Sequence, residues 1–198
     1  MPIPQDILDC LRADDQTLTE LNFSRCYPDL TVADMRSLAN ALRGNHYITK
    51  LILCEDGIED EGICILAEAL PAVPSLIELD VSVNNIGDTG ATALFSVTTL
   101  KCLDVAANSV TDRAAEQLLH NTTLYYVHLD GNSVSPALVA QIDVQLEGNE
   151  QKEATQLREE FHRFIESLSS PNELELALSV AKESIQAHAG KEAVPVMQ

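Results

Sequence analysis

Residues 76–84 read LIELDVSVN and residues 100–108 read LKCLDVAAN. Set in one frame, the two stretches share Leu, Leu, Asp, Val and Asn at positions one, four, five, six and nine. The frame extends outward to 18–26 (LTELNFSRC), 48–56 (ITKLILCED) and 124–132 (LYYVHLDGN). Each segment is apolar at positions one, four and six, and the ninth position holds Cys26, Asp56, Asn84, Asn108 and Asn132. Starts at Leu18, Ile48, Leu76, Leu100 and Leu124 give units of 30, 28, 24 and 24 residues. Such self-similarity at a fixed period is the mark of a repeat architecture.

Strand side chains alternate between faces, so positions four and six point to one side and three, five and seven to the other. Beyond the ninth position, Ile58, Ile86, Val110 and Val134 recur, and apolar residues at helical spacing follow, such as Gly62, Leu66, Ala67 and Leu70. In the first unit the matching residues are Leu30, Asp34, Leu38, Ala39 and Leu42, displaced by an insertion near Pro28. A strand followed by an amphipathic helix cannot bury its apolar face alone, so the units must stack. The two short units have lost about a helical turn, which predicts short helices there. The ninth-position asparagine offers both amide donors and a carbonyl acceptor to the backbone at the bend, unit upon unit. Cys26 is a weaker substitute, and an ionised Asp56 accepts but does not donate.

These motifs resemble leucine-rich repeats of the ribonuclease-inhibitor class, over residues 18 to about 150. The resemblance implies an α/β fold: a right-handed solenoid of about five units, parallel strands on the concave side, helices on the convex side, and a C-terminal α-helical cap. Short acidic arrays with a helical tail also resemble leucine-rich-repeat effectors that intracellular bacteria deliver into host cells. The C-terminal region lacks the cysteine of the ubiquitin-ligase relatives, and no arginine-bearing loop of a GTPase activator is visible.

Formal net charge is -19, from 31 acidic and 12 basic residues, and 45% of the chain is hydrophobic. The apolar fraction allows a real core. The charge excludes a nucleic-acid partner, which needs a basic patch, and repels anionic membranes; it favours a basic protein surface. Five cysteines without CxxC spacing read as reduced thiols. No basic-then-apolar leader is visible, so a cytosolic environment is expected, reached, on the effector resemblance, by export without a cleavable signal.

Four regions are expected: an N-terminal capping helix (1–17) carrying Ile7, Leu8 and Leu11; the repeats and a closing helix (18–150), the latter opened by Pro136 and carrying Leu138, Val139, Ile142 and Leu146; a helical hairpin (151–189); and a disordered tail (190–198). The first hairpin helix, 151–168, places Leu157, Phe161, Phe164, Ile165 and Leu168 on one face.

The concave face is the candidate site. Position three reads Glu20, Lys50, Glu78, Cys102, Tyr126; position five reads Asn22, Ile52, Asp80, Asp104, His128; position seven reads Ser24, Cys54, Ser82, Ala106, Asp130. Tyr125 and Lys101 stand at the margin. The expected contact set is Glu78, Asp80, Lys101, Asp104, Tyr125, Tyr126, His128 and Asp130, with tyrosines as anchors and carboxylates orienting a basic partner. Cys102, Asp104 and His128 have the residue types of a thiol site, but nothing supplies an oxyanion hole or a pocket. No ligand spacing points to a metal, and no GxxxxGKS/T string points to a nucleotide. The expectation is therefore a non-enzymatic, cofactor-free binding protein, monomeric on its own, which inhibits or scaffolds one partner. The alternative is a structural adaptor whose C-terminal helices recruit a second partner; a thiol- or metal-dependent enzyme ranks third.

Overall fold

The computed structural model describes residues 3–25 and 29–167. The chain divides into two compact units, Met1–Gln151 and Lys152–Gln198. In the first, helix α1 (Gln5–Arg12) precedes strand β1 (Glu20–Asn22), and the alternation continues through α2 (Val32–Leu42), β2 (Lys50–Ile52), α3 (Asp60–Ala69), β3 (Glu78–Asp80), α4 (Asp88–Phe95), β4 (Cys102–Asp104), α5 (Asp112–Ala115), β5 (Tyr126–His128) and α6 (Pro136–Ser167). Short 3-10 turns extend α3 (Leu70–Ala72) and α5 (Glu116–His120). The five strands form one parallel sheet in chain order. Register is in step throughout: Leu21, Leu51, Leu79, Leu103 and Val127 form one row, and Asn22, Ile52, Asp80, Asp104 and His128 the next.

One face of the sheet is dry. Leu51, Leu79 and Leu103 are fully buried, as are the position-six residues Leu53, Val81 and Val105. The helices supply the opposite wall with Met35, Leu38, Leu42, Ile63, Leu66, Leu94 and Leu118. Helix length falls along the array, from 11 residues in α2 to 4 in α5, as the shorter units require. The ends are closed by Ile3, Leu8 and Leu11 at one side and by Leu138, Ile142 and Leu146 of α6 at the other. Burial of each such leucine is worth about 1.5–3 kcal/mol, so the two ends hide surface that would otherwise expose the core.

Every strand ends in the same sharp bend. The residue before the ninth position has positive φ in all five units: Arg25 (59°), Glu55 (62°), Val83 (55°), Ala107 (51°) and Gly131 (74°). The following asparagine ties that bend to the unit before it. Asn84 Nδ2 donates to Leu53 O (2.7 Å) and Val81 O (2.9 Å), while its Oδ1 accepts from Asp56 N and Ile58 N. Asn108 bonds Val81 O, Val105 O and Ile86 N in the same manner, and Asn132 bonds Val105 O, Leu129 O and Val110 N. Asp56 occupies this row as a fully buried residue, and Cys26 lies outside the described residues.

Two further sets of cross-unit bonds were not anticipated from the sequence. Asp60, Asp88 and Asp112 each stand at the first position of a helix, and each accepts from the start of the next helix rather than capping its own. Asp60 Oδ1 takes Gly87 N (2.7 Å) and Gly90 N (3.0 Å); Asp88 takes Thr111 N (2.8 Å) and Thr111 Oγ1; Asp112 takes Ser135 N (2.6 Å). Helix N-termini expose amide donors and partial positive charge, which a carboxylate satisfies. Gly90 permits this approach, since a Cβ there would sit 3.0 Å from Ile86 Cγ2 and 3.3 Å from Asp60 Cα. On the return turns, Asn45 bonds Leu11 O, Asn121 bonds Phe95 O, and Asn149 bonds Asn121 O and Leu124 O.

Helix α6 departs from expectation. The closing helix and the first hairpin helix, read as separate elements meeting near residue 150, are one continuous helix. No proline interrupts residues 137–167, and Gly148 alone costs only about 1 kcal/mol. Asn149, buried and bonded to two carbonyls, holds the helix in register at that point. The second hairpin helix and the tail lie outside the described residues.

Candidate functional site

The sheet face opposite the helices carries the predicted contact residues. Strand burial alternates, with Leu21, Leu51, Leu79 and Leu103 inside and their neighbours exposed or half-buried outside. Outward rows follow from register: Glu20, Lys50, Glu78, Cys102, Tyr126 in one, and Asn22, Ile52, Asp80, Asp104, His128 beside it. In the first row the Lys50–Glu78 ion pair cancels two charges and leaves that of Glu20. Toward the C-terminal end of the face the neighbouring rows supply the acids Asp80, Asp104 and Asp130, and the first row supplies Tyr126.

Tyr126 is 53% exposed, the most accessible of the aromatic anchors expected there. Tyr125, one residue before β5, is half-buried. His128 stands between two carboxylates: Nδ1 is 3.0 Å from Asp104 Oδ2, and Nε2 is 3.2 Å from Asp130 Oδ2. The hydrogen bond to Asp104 outweighs desolvation and, with the bond to Asp130, raises the His128 pKa above the ordinary histidine value. The Asp130 carboxylate is 93% exposed.

Two of the carboxylates also have local structural work. Asp80 Oδ1 accepts from Ser82 N (2.9 Å) and Ser82 Oγ, and Asp104 Oδ1 accepts from Ala106 N (2.9 Å). Asn22 makes the same bond to Ser24 N in the first unit. Position five thus favours Asp or Asn for the turn that follows, whatever partner the face meets. Each carboxylate has a second oxygen, and in Asp104 that oxygen faces His128.

The structure brings Asp104, His128, Asp130 and Tyr126 together at one end of the face, with Asp80 next in the row; Glu78 is engaged with Lys50. Cys102 lies beside Tyr126 in register. Among the described residues, no group of three or more His, Cys, Asp or Glu side chains is arranged to hold a metal ion, and no helix is long and apolar enough to cross a membrane. A cleft of about 410 Å³ lies elsewhere, on the return turns, lined by residues that include Phe95, Gln117, His120 and Thr123. The remaining described histidines are exposed, with His46 paired to Asp14.

A family model described as "Leucine Rich repeat" matches residues 74–95. Among solved structures, the chain is similar to the C-terminal domain of tropomodulin from Caenorhabditis elegans, at 21% identity and a TM-score of 0.64, covering 78% of this chain and 96% of that one. It is similar to actin-binding site 2 of leiomodin-1, at 20% identity and a TM-score of 0.71, covering 82% and 99%. An internalin from Listeria monocytogenes aligns at 21% identity and a TM-score of 0.50, over 72% of this chain and 36% of that one. No curated protein matches the sequence. The in-step strands, the asparagine row and these matches give the chain a leucine-rich-repeat fold. Its repeats form a parallel-sheet solenoid with helices on the other side and a long helix closing the end.

Proposed function

We propose that this chain is a protein-interaction module that binds a partner through the outward face of β3–β5. The observation that carries the reading is Tyr126, 53% exposed on β5 and sharing its outward face with the Asp104–His128–Asp130 group. A rigid aromatic with a polar tip contributes contact area at small entropic cost, and carboxylates around it orient a basic counterpart. The net charge of -19 favours the same partner class. One structure of similar fold is named as an actin-binding site, so an array of this kind serves protein binding in that relative. The mode of action proposed is occlusion or scaffolding of one partner by a monomer. A cytosolic setting is supported by Cys10, Cys54 and Cys64, which form no disulfide among the described residues. Delivery into a host cell as an effector is a further proposal, resting on the resemblance of short acidic arrays with helical tails.

Affinity capture with wild type, Tyr126→Ala and Asp104→Lys tests the site. Loss of the same captured protein in both variants is expected; unchanged capture by both discards the face. A second reading, an adaptor that recruits through its C-terminal region, is favoured by Leu157, which is 59% exposed on α6. Truncation after Gln151 separates the two: capture that survives belongs to the repeats, and capture that is lost belongs to the C-terminal unit.

A further inference from the structure

Both ring nitrogens of His128 face carboxylate oxygens, at 3.0 Å and 3.2 Å. A neutral imidazole has one N–H and one lone pair, so one of these contacts would then oppose a lone pair to an anionic oxygen. The imidazolium donates at both. The geometry is therefore that of a proton-binding site, with Asp104 holding one edge of the ring and Asp130 the other.

The groups around the ring are few. From β4 it faces Asp104, with Cys102 one outward position further back; from its own strand it has Tyr126, and from the turn that follows, Asp130. Asp80 on β3 continues the row beyond Asp104. Protonated, His128 partly neutralises two carboxylates and fastens the exposed Asp130 to the sheet. Deprotonated, it keeps one N–H, so it can serve only one of the two.

We propose that His128 is a proton-operated gate on the binding face, closing it to cationic partner segments when protonated and opening it when the proton leaves. The gate rests on the basic-partner reading above. Loss of the proton makes the cluster one unit more negative and frees a carboxylate at the same end of the face as Tyr126. Its bonds to Asp104 and Asp130 hold the histidine protonated beyond the ordinary range, so the transition falls above the unperturbed value of about 6.5. An arginine side chain keeps its charge throughout that range, which makes the histidine the titrating partner.

The test uses the full chain and a fluorescein-labelled hexa-arginine peptide as probe, with anisotropy titrations from about pH 6 to about pH 9. Affinity is expected to rise about two- to fivefold as His128 loses its proton, the scale of an exposed charge pair. His128→Gln should give a flat profile. In nitrogen-15 spectra, both ring nitrogens of His128 should be protonated at the acid end of this range, and Asp104→Asn should lower the pH at which they titrate. A titration at or below about 6.5, or an equal pH dependence in His128→Gln, overturns the gate. Peptide binding without the step overturns the gate alone. Absence of binding at every pH overturns the basic-partner reading and the gate with it.

Discussion

Replacing Asn84 by alanine measures what the asparagine row contributes. Its Oδ1 is the acceptor for Asp56 N (3.1 Å) and Ile58 N (3.0 Å), and its amide serves Leu53 O, Val81 O and Ser82 O. Val81 O keeps a donor from Asn108 when Asn84 is removed, so the loss centres on two amide donors and Leu53 O. A buried polar group left without a partner costs about 1–3 kcal/mol, and Asn84 is only 9% exposed, so water replaces it poorly. The expected destabilisation is about 3–5 kcal/mol, a large share of the roughly 5–15 kcal/mol that holds a domain together. At about 2–4 °C per kcal/mol for a chain of this size, melting should fall by roughly 6–20 °C. Asn132→Ala is the internal comparison. It removes the acceptor of one amide, Val110 N, at a half-buried site, and should cost about 1–2 kcal/mol. Urea unfolding followed by circular dichroism reads both, provided the slopes agree with wild type. Equal losses in the two variants, or a loss below about 1 kcal/mol for Asn84→Ala, would refute the claim that bonding across units sets the scale.

Two further outcomes are expected. Val83 adopts φ of 55° while 46% exposed, a conformation that costs a branched side chain about 1–2 kcal/mol. Glycine regains this less its own entropy of about 0.5–1 kcal/mol, so Val83→Gly should melt slightly higher; a lower melting temperature contradicts the strain. Burial, together with nearby Asp60 and Glu68, raises the Cys64 thiol pKa, whereas Cys10 is exposed. Iodoacetamide at neutral pH should modify Cys10 first and Cys64 slowly, as read by peptide mass mapping, and the reverse order would contradict this account.

The strands were legible because apolar residues at positions one, four and six recur in step in all five units. The face was legible by alternation alone, including which residues share a row. What the sequence hid was polar and non-local. Asp60, Asp88 and Asp112 recur four residues after the ninth position, yet they read as ordinary first-turn acids; only packing shows that each serves the following helix. Asn45, Asn121 and Asn149 escaped notice because valines, Val73 and Val97, fill the equivalent return turns between the first two. The continuity of α6 was missed because Gly148 and Asn149 look like a stop signal, whereas Asn149 is a buried bonding partner of the last turn. Tyr125, read at the margin from its position two in the frame, is half-buried.

The acids that reach forward from one helix to the next also bear on how the array may be lengthened or cut. Each of Asp60, Asp88 and Asp112 finds its acceptor role at the same point of the adjoining unit, so the joint is generic rather than particular to a pair. Excising residues 85–108, one full period, would present Asp60 to the Thr111 turn that now meets Asp88, and Asn84 would abut the segment that now follows Asn108. Size in such a protein is a matter of copy number, and a shorter or longer version needs new residues only where its two terminal helices sit.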